Sequence, residues 1–144
     1  MKLEIKIIEK QLDVKYAGDF VKNISSGAIV LFEGVVREYN NGVKIKNIEY
    51  SAYELMAIKE IKKIINIALK KIINVEQVHA ICIHHRIGKL QIGDTAVVIA
   101  VATEHRKEAF ELASNIMDLI KKTVPIWKQE SSEESAHWIG RKEF

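Results

Sequence analysis

The sequence predicts a single α+β domain with a mixed or mainly antiparallel sheet and about three helices. Three observations carry that prediction. Segments with apolar residues every three or four positions are interleaved with runs that alternate or are apolar throughout. Glycine and asparagine punctuate the joins, at Ser25-Ser26-Gly27, Asn40-Asn41-Gly42 and Gly88 to Gly93. With 144 residues, no linker and no internal repeat, the chain suffices for one core and not comfortably for two, so residues 1–144 are taken as one unit.

Each element follows from its local pattern. Residues 2–8 alternate weakly and read as a strand. From Asp13 to Ile24 the apolar positions Val14, Ala17, Phe20, Val21 and Ile24 keep helical spacing, which Ser25-Ser26-Gly27 ends. Ala28 to Phe32 is apolar on both faces and reads as a central strand, with a bulge expected at Glu33-Gly34. Asn40-Asn41-Gly42 joins it by a hairpin turn to the alternating run Val43 to Tyr53. A long amphipathic helix is expected from Glu54 to Ile73, with Ile58, Ile61, Ile65, Ala68, Leu69 and Ile72 on one face and lysines opposite. Val78 to Ile87 reads as a strand, Gly88 to Asp94 as a connection, and Thr95 to Ala102 as a buried strand. Thr103 then looks like the N-cap of a helix running to about Lys122. Pro125 turns the chain into a last, extended segment.

Composition excludes several classes. A 48% apolar and 28% charged chain is neither disordered nor collagen-like. No apolar run approaches the ~18 residues of a membrane span, and the charged N-terminus is not a signal peptide. One cysteine, Cys82, cannot form an internal disulfide, which fits the cytoplasm. A net charge of +3 suggests no general affinity for nucleic acid, and the lysines of residues 59–71 read as the solvated face of a helix.

Candidate chemistry lies in cations. Thr103-Glu104-His105-Arg106 stands where a buried strand becomes a helix. His105 and Arg106 would then sit beside free backbone N–H groups, a place that disfavours cations by up to about 1 kcal/mol unless an anion binds. Surface pairing with Glu104 and Glu108 is the competing account. Lys121 and Lys128 are seven residues apart across Pro125, so a turn could bring two ammonium groups from different elements together. A lysine in the last helical turn is favourable for dipole reasons alone, and Lys122 is equally placed. Lys128, next to Trp127, is expected to be partly desolvated by it and available as acid, base or nucleophile. Arg37 closes a strand, where ligand-facing and solvated arginines both occur. On the strand through residues 79–86, Cys82 and His84 share one face and His79 and His85 the other. Two ligands at i, i+2 do not make a site, so no metal or other cofactor is expected.

Four segments in order resemble the MoaE family, the large subunits of molybdopterin synthase. They are Gly27-Ala28 through Phe32-Glu33-Gly34-Val35-Val36-Arg37; Glu49-Tyr50 through Met56-Ala57; His85 to Asp94; and Thr103 to Phe110 through Met117-Asp118, Lys121 and Pro125-Ile126-Trp127-Lys128-Gln129-Glu130. The resemblance implies an α/β-hammerhead fold. It implies transfer of sulfur to cyclic pyranopterin monophosphate, forming the dithiolene of molybdopterin. The sulfur donor would be a thiocarboxylate on the C-terminal Gly-Gly of a small ubiquitin-like partner of the MoaD type. A homodimer would form the core of a heterotetramer, with a pterin site that borrows residues across the dimer. Carried over by position, Arg37, His105 and Arg106 would hold the substrate, Lys121 and Lys128 would stand at the reacting centre, and Gln129 and Glu130 would flank it. The sequence departs from the family pattern at Val35, where a basic residue is common, at Glu104, and at Ser135-Ala136 ahead of Trp138; the last bears on Arg141 as a cross-subunit contact. A non-catalytic module binding anions or a peptide tail on the same scaffold is the alternative.

Overall fold

The computed structural model describes residues 1–132 and 136–139. Nine strands and three α-helices follow one another as β1 (Lys2–Ile8), α1 (Val14–Val21), β2 (Ala28–Val35), β3 (Tyr39–Asn40), β4 (Val43–Ala52), α2 (Glu54–Lys70), β5 (Val78–Arg86), β6 (Gly88–Gln91), β7 (Thr95–Thr103), α3 (Arg106–Thr123), β8 (Ile126–Ser132) and β9 (Ala136–Ile139) among the described residues. They build two sheets. The first has the order β1-β5-β7-β2, and the second β3-β4-β8-β9 with β6 also paired to β4. Only the β1–β5 pair is parallel, in a register that sets Glu4 opposite Cys82 and Lys6 opposite His84; the other pairings are antiparallel. The first sheet is mixed and the second antiparallel, as expected for an α+β chain.

The two-residue period of β5 and β7 sorts the core into layers. Ile81, Ile83, Val97, Ile99 and Val101 face α2 and α3, while Ala80, Cys82, Val98, Ala100 and Ala102 face Leu12, Ala17 and Val21 of the α1 segment. Small residues on the α1 side let that short helix approach closely. On the other side α3 buries Ala109, Leu112, Ala113, Ile116, Met117 and Ile120. Burying a single large aliphatic side chain there contributes roughly 1.5–3 kcal/mol. α3 reverses direction after β7 and packs on β7 and β2. Its Thr123 end therefore lies toward Thr95 and Val35, and its Arg106 end toward Ala28.

Three expectations need correction. β2 is an edge strand, not a central one, and Ile29, Leu31, Phe32 and Val35 are 36–49% exposed. Its apolar run is real, but among the described residues no strand pairs with its outer side. Gly88 to Asp94 is not merely a connection: four of its residues form β6, where Leu90 is buried opposite Ile48. Thr103 is not the N-cap of α3. Its backbone pairs with both Ala28 and Val78, so His105 takes the cap position and the Thr103 hydroxyl donates to the His105 carbonyl. The bulge expected at Glu33-Gly34 is present as a register shift between Gly34 and Val35.

Candidate functional site

The site starts where β2 leaves its sheet. The Val36 amide donates to Asp94 O at 3.0 Å and the Gly93 amide donates to Val36 O at 2.9 Å. This exchange fixes the backbone immediately before Arg37. The Ile45 amide then donates to Glu38 O at 2.7 Å, closing the hairpin whose turn uses the positive φ of Asn41 and Gly42. Arg37 is thereby held exposed at the rim of a small cavity formed with Tyr39, Asn40, Ile45, Ile48, Tyr50, Lys128 and Glu130. At about 20 Å³ the cavity holds one water-sized group. A larger substrate must sit at its mouth.

Lys128 and Glu130 enter this cavity from β8. They lie two residues apart and so share a face of the strand. Their side chains are almost fully buried, and Lys128 Nζ is 3.2 Å from Glu130 Oε1. Asn40 Nδ2 donates to the same carboxylate oxygen at 2.7 Å. Tyr50, directly opposite Lys128 in the β4–β8 register, is held above the usual phenol range by burial first and by the Glu130 charge second. A buried ammonium stands here beside a buried carboxylate, in reach of a proton acceptor and in view of Arg37. Trp127 does not desolvate Lys128, contrary to the sequence expectation. Alternation turns Trp127 outward against Tyr53, and the burial of Lys128 comes from Tyr50, Ile45 and Ile48. Gln129 alternates outward as well and does not line the cavity.

Lys121 is half-buried in the last turn of α3, at the same end of that helix as Val35 and the segment leading to Arg37. His105 and Arg106 stand at the opposite end. Fifteen residues of helix at about 1.5 Å each separate Arg106 from Lys121 by roughly 22 Å. One chain therefore does not gather all five cations into one cavity. Arg37 and Lys128 share one, Lys121 lies at the same end of α3, and His105 and Arg106 line an open groove of about 670 Å³ with Gly27, Ala28, Lys107 and Phe110. In that groove Glu104 lies 4.0 Å from His79 and His105 Nδ1 lies 3.2 Å from Gln77 Oε1. The expected neutralising pairs with Glu104 and Glu108 do not form: among the described residues Arg106, Arg37 and Lys121 make no ion pair. Arg141 lies outside the described residues.

The sequence reading missed the Lys128–Glu130 pair. The signal was available: Lys128 and Glu130 stand at i, i+2 in an extended run with Trp127 and Gln129 between them.

Comparison with known proteins fits this geometry. Residues 7–123 match the family described as "MoaE protein". The chain belongs to the MoaE family. It is 39% identical over 140 residues to a protein of Pyrococcus abyssi named molybdopterin synthase catalytic subunit, covering 96% of this chain and 92% of that one. A Mycobacterium tuberculosis protein named molybdopterin synthase catalytic subunit 1 is 38% identical over 135 residues, 94% of this chain and 89% of its own. Among solved structures, molybdopterin synthase from Staphylococcus aureus superposes with a TM-score of 0.85 at 39% identity, covering 93% of this chain and 95% of that chain. The complex of subunits 1 and 2 of the molybdopterin-converting factor from Helicobacter pylori gives 0.74 at 25% identity, with 93% and 88% covered. This MoaE chain has no described helix long and apolar enough to cross a membrane.

Proposed function

We propose that this MoaE chain is the catalytic subunit of a molybdopterin synthase, moving sulfur from the thiocarboxylated Gly-Gly terminus of a small ubiquitin-like MoaD-type subunit to cyclic pyranopterin monophosphate. The observation that carries the reading is a buried lysine, Lys128, in a cavity rimmed by Arg37, with Lys121 at the same end of the molecule. A thiocarboxylate is anionic at neutral pH and is already a nucleophile, so no cysteine or metal of the enzyme need activate it. Its charge favours approach between Lys121 and Lys128. Attack of its sulfur on a side-chain carbon of the pterin breaks that carbon's bond to oxygen, the oxygen leaving with a proton from Lys128, and joins the two substrates as a thioester; water then cleaves the acyl–sulfur bond. The sulfur stays on the pterin and the partner leaves with a carboxylate terminus. Lys121 stabilises the oxyanion of that hydrolysis, and Lys128, with Glu130 as its proton partner, protonates the pterin side chain.

His105 and Arg106 reach this centre from a second copy. A two-fold axis crossing the exposed β2 edge and the middle of α3 sets the N-terminal end of one α3 beside the C-terminal end of the other. The partner's groove is then placed against Arg37, Lys121 and Lys128 of the first chain. Phosphate suits that groove, because Arg106 makes no ion pair among the described residues and the helix end supplies free N–H groups. The exposed Ile29, Leu31, Phe32, Val35 and Phe110 support such a homodimer, with small subunits at its two ends. The chain is expected to act in the cytoplasm.

Turnover of the pterin precursor with thiocarboxylated partner tests the proposal. Lys121→Ala is expected to abolish product while binding of the small subunit changes less than about threefold. Unchanged turnover refutes the catalytic role. A wild-type chain that binds the partner tail but never yields product is instead the non-catalytic binding module.

A further inference from the structure

On the face of the first sheet away from α3, three ligand-type atoms converge. Glu4 of β1 stands opposite Cys82 of β5 in the parallel register, and His84 follows two residues later on the same face. Glu4 Oε2 is 2.8 Å from His84 Nε2, Cys82 Sγ is 3.5 Å from the same nitrogen, and Cys82 Sγ is 3.9 Å from Glu4 Oε2. A triangle with these sides has its centre about 2.0 Å from every corner, against Zn–N and Zn–O bonds of about 2.0–2.2 Å and Zn–S bonds of about 2.3 Å. We propose that Glu4, Cys82 and His84 form a zinc site that clamps the N-terminal strand β1 to β5, with water in the fourth position.

The chemistry of the donor set supports the ion. Carboxylate, thiolate and neutral imidazole are each zinc ligands, and one carboxylate plus one thiolate cancel the two charges of Zn²⁺. A neutral assembly suits a place where Cys82 and His84 are almost completely buried. Glu4 keeps one-fifth of its side chain accessible, which gives the ion a way in. The outer groups are placed to steady the ligands. Tyr16 Oη donates to Glu4 Oε1 at 2.9 Å, leaving Oε2 for the metal, and the Tyr16 ring stacks on His84 with centroids 5.7 Å apart. Lys6, 3.8 Å from Glu4 Oε1, opposes cation binding and is more than half exposed. Occupancy requires the Nε2···Oε2 hydrogen bond to open and His84 to carry its proton on Nδ1. It also requires the Cys82 proton to leave for solvent.

The test uses full-length chain stripped with chelator and then titrated with Zn²⁺ or Co²⁺. The expected result is one ion per chain, a thiolate-to-cobalt charge-transfer band in the near ultraviolet, and a zinc-dependent rise in Tm. Cys82→Ala should lose the charge-transfer band and bind at least tenfold more weakly. Glu4→Gln, at a partly exposed position that keeps its size, should weaken binding at least tenfold while the band persists at saturation. Absence of the band from saturated wild-type protein overturns the proposal, as does wild-type affinity in either variant. Turnover should be the same with and without zinc, because the cluster lies across the sheet from α3.

Discussion

Replacing Lys128 by methionine keeps the length of the side chain and deletes its charge. Glu130 would then be left with its carboxylate almost fully buried beside the Asn40 amide donor at 2.7 Å and without its cation. Removing one partner of a buried ion pair costs about 3–5 kcal/mol, because the survivor stays desolvated without compensation. For a chain of this size that corresponds to a fall in Tm of about 10–17 °C. Glu130→Gln, which keeps an oxygen for Asn40, strands the ammonium instead and should likewise cost about 3–5 kcal/mol. The double variant removes both charges together. Its loss should be smaller than the sum of the single losses by about 2–3 kcal/mol. Urea denaturation of the four proteins at pH 7, with m-values checked for constancy, measures the coupling directly. Single losses that add to within about 0.5 kcal/mol would refute a buried, interacting pair. Turnover separates structure from chemistry: the double variant should regain stability and still make no product.

Three further outcomes are expected. Burial holds His85 down to about 4, from an ordinary 6.5, against the opposing bond to the Arg86 carbonyl. The unfolded chain therefore takes up a proton first as pH falls, so this contribution to stability is complete above 6.5 and is lost toward 4. The loss between pH 7 and 5 is about 2 kcal/mol, and a His85→Gln chain should show a flatter denaturation profile across that window. At Gly27 an added Cβ would lie 2.6 Å from the Glu104 carbonyl oxygen. Gly27→Ala should cost about 1–3 kcal/mol in urea and displace the turn carrying His105 and Arg106, visible as weaker phosphate binding in calorimetry. Lys121→Ala removes a half-exposed lysine at a helix C-terminus, and equilibrium unfolding should change by no more than about 1 kcal/mol while activity disappears.

The elements that could be read from the sequence were those whose period is set inside one segment. The three helices and the strands at 2–8, 43–53, 78–87 and 95–102 fell within a few residues of their observed ends, because each buries one face with its own periodic apolar positions. β2 was misplaced for a reason outside its own residues: its apolar faces implied a central strand, whereas among the described residues its outer edge has no strand partner. β6 is four residues long, too short to show a period. At the site, Lys121, Arg37 and Lys128 were recognisable as isolated cations next to element ends. The role of Trp127 was not, since proximity in sequence put it beside Lys128 while the pleat put it behind. The Glu4–Cys82–His84 cluster was half legible, with His84 two residues from Cys82, but its third member arrives through a pairing 78 residues away.

That parallel pairing also shapes how the chain is made. Among the described elements β1 is made before the others, and its strand partner β5 is synthesised 78 residues later. At roughly 5–20 residues per second, the opening segment waits about 4–16 s for its neighbour to be translated. For that interval its backbone hydrogen-bonding groups are unmet by any sheet, and Leu3, Ile5, Ile7 and Ile8 are available to passing chaperones. β1 is thus secured only after five later elements, α1, β2, β3, β4 and α2, have been made.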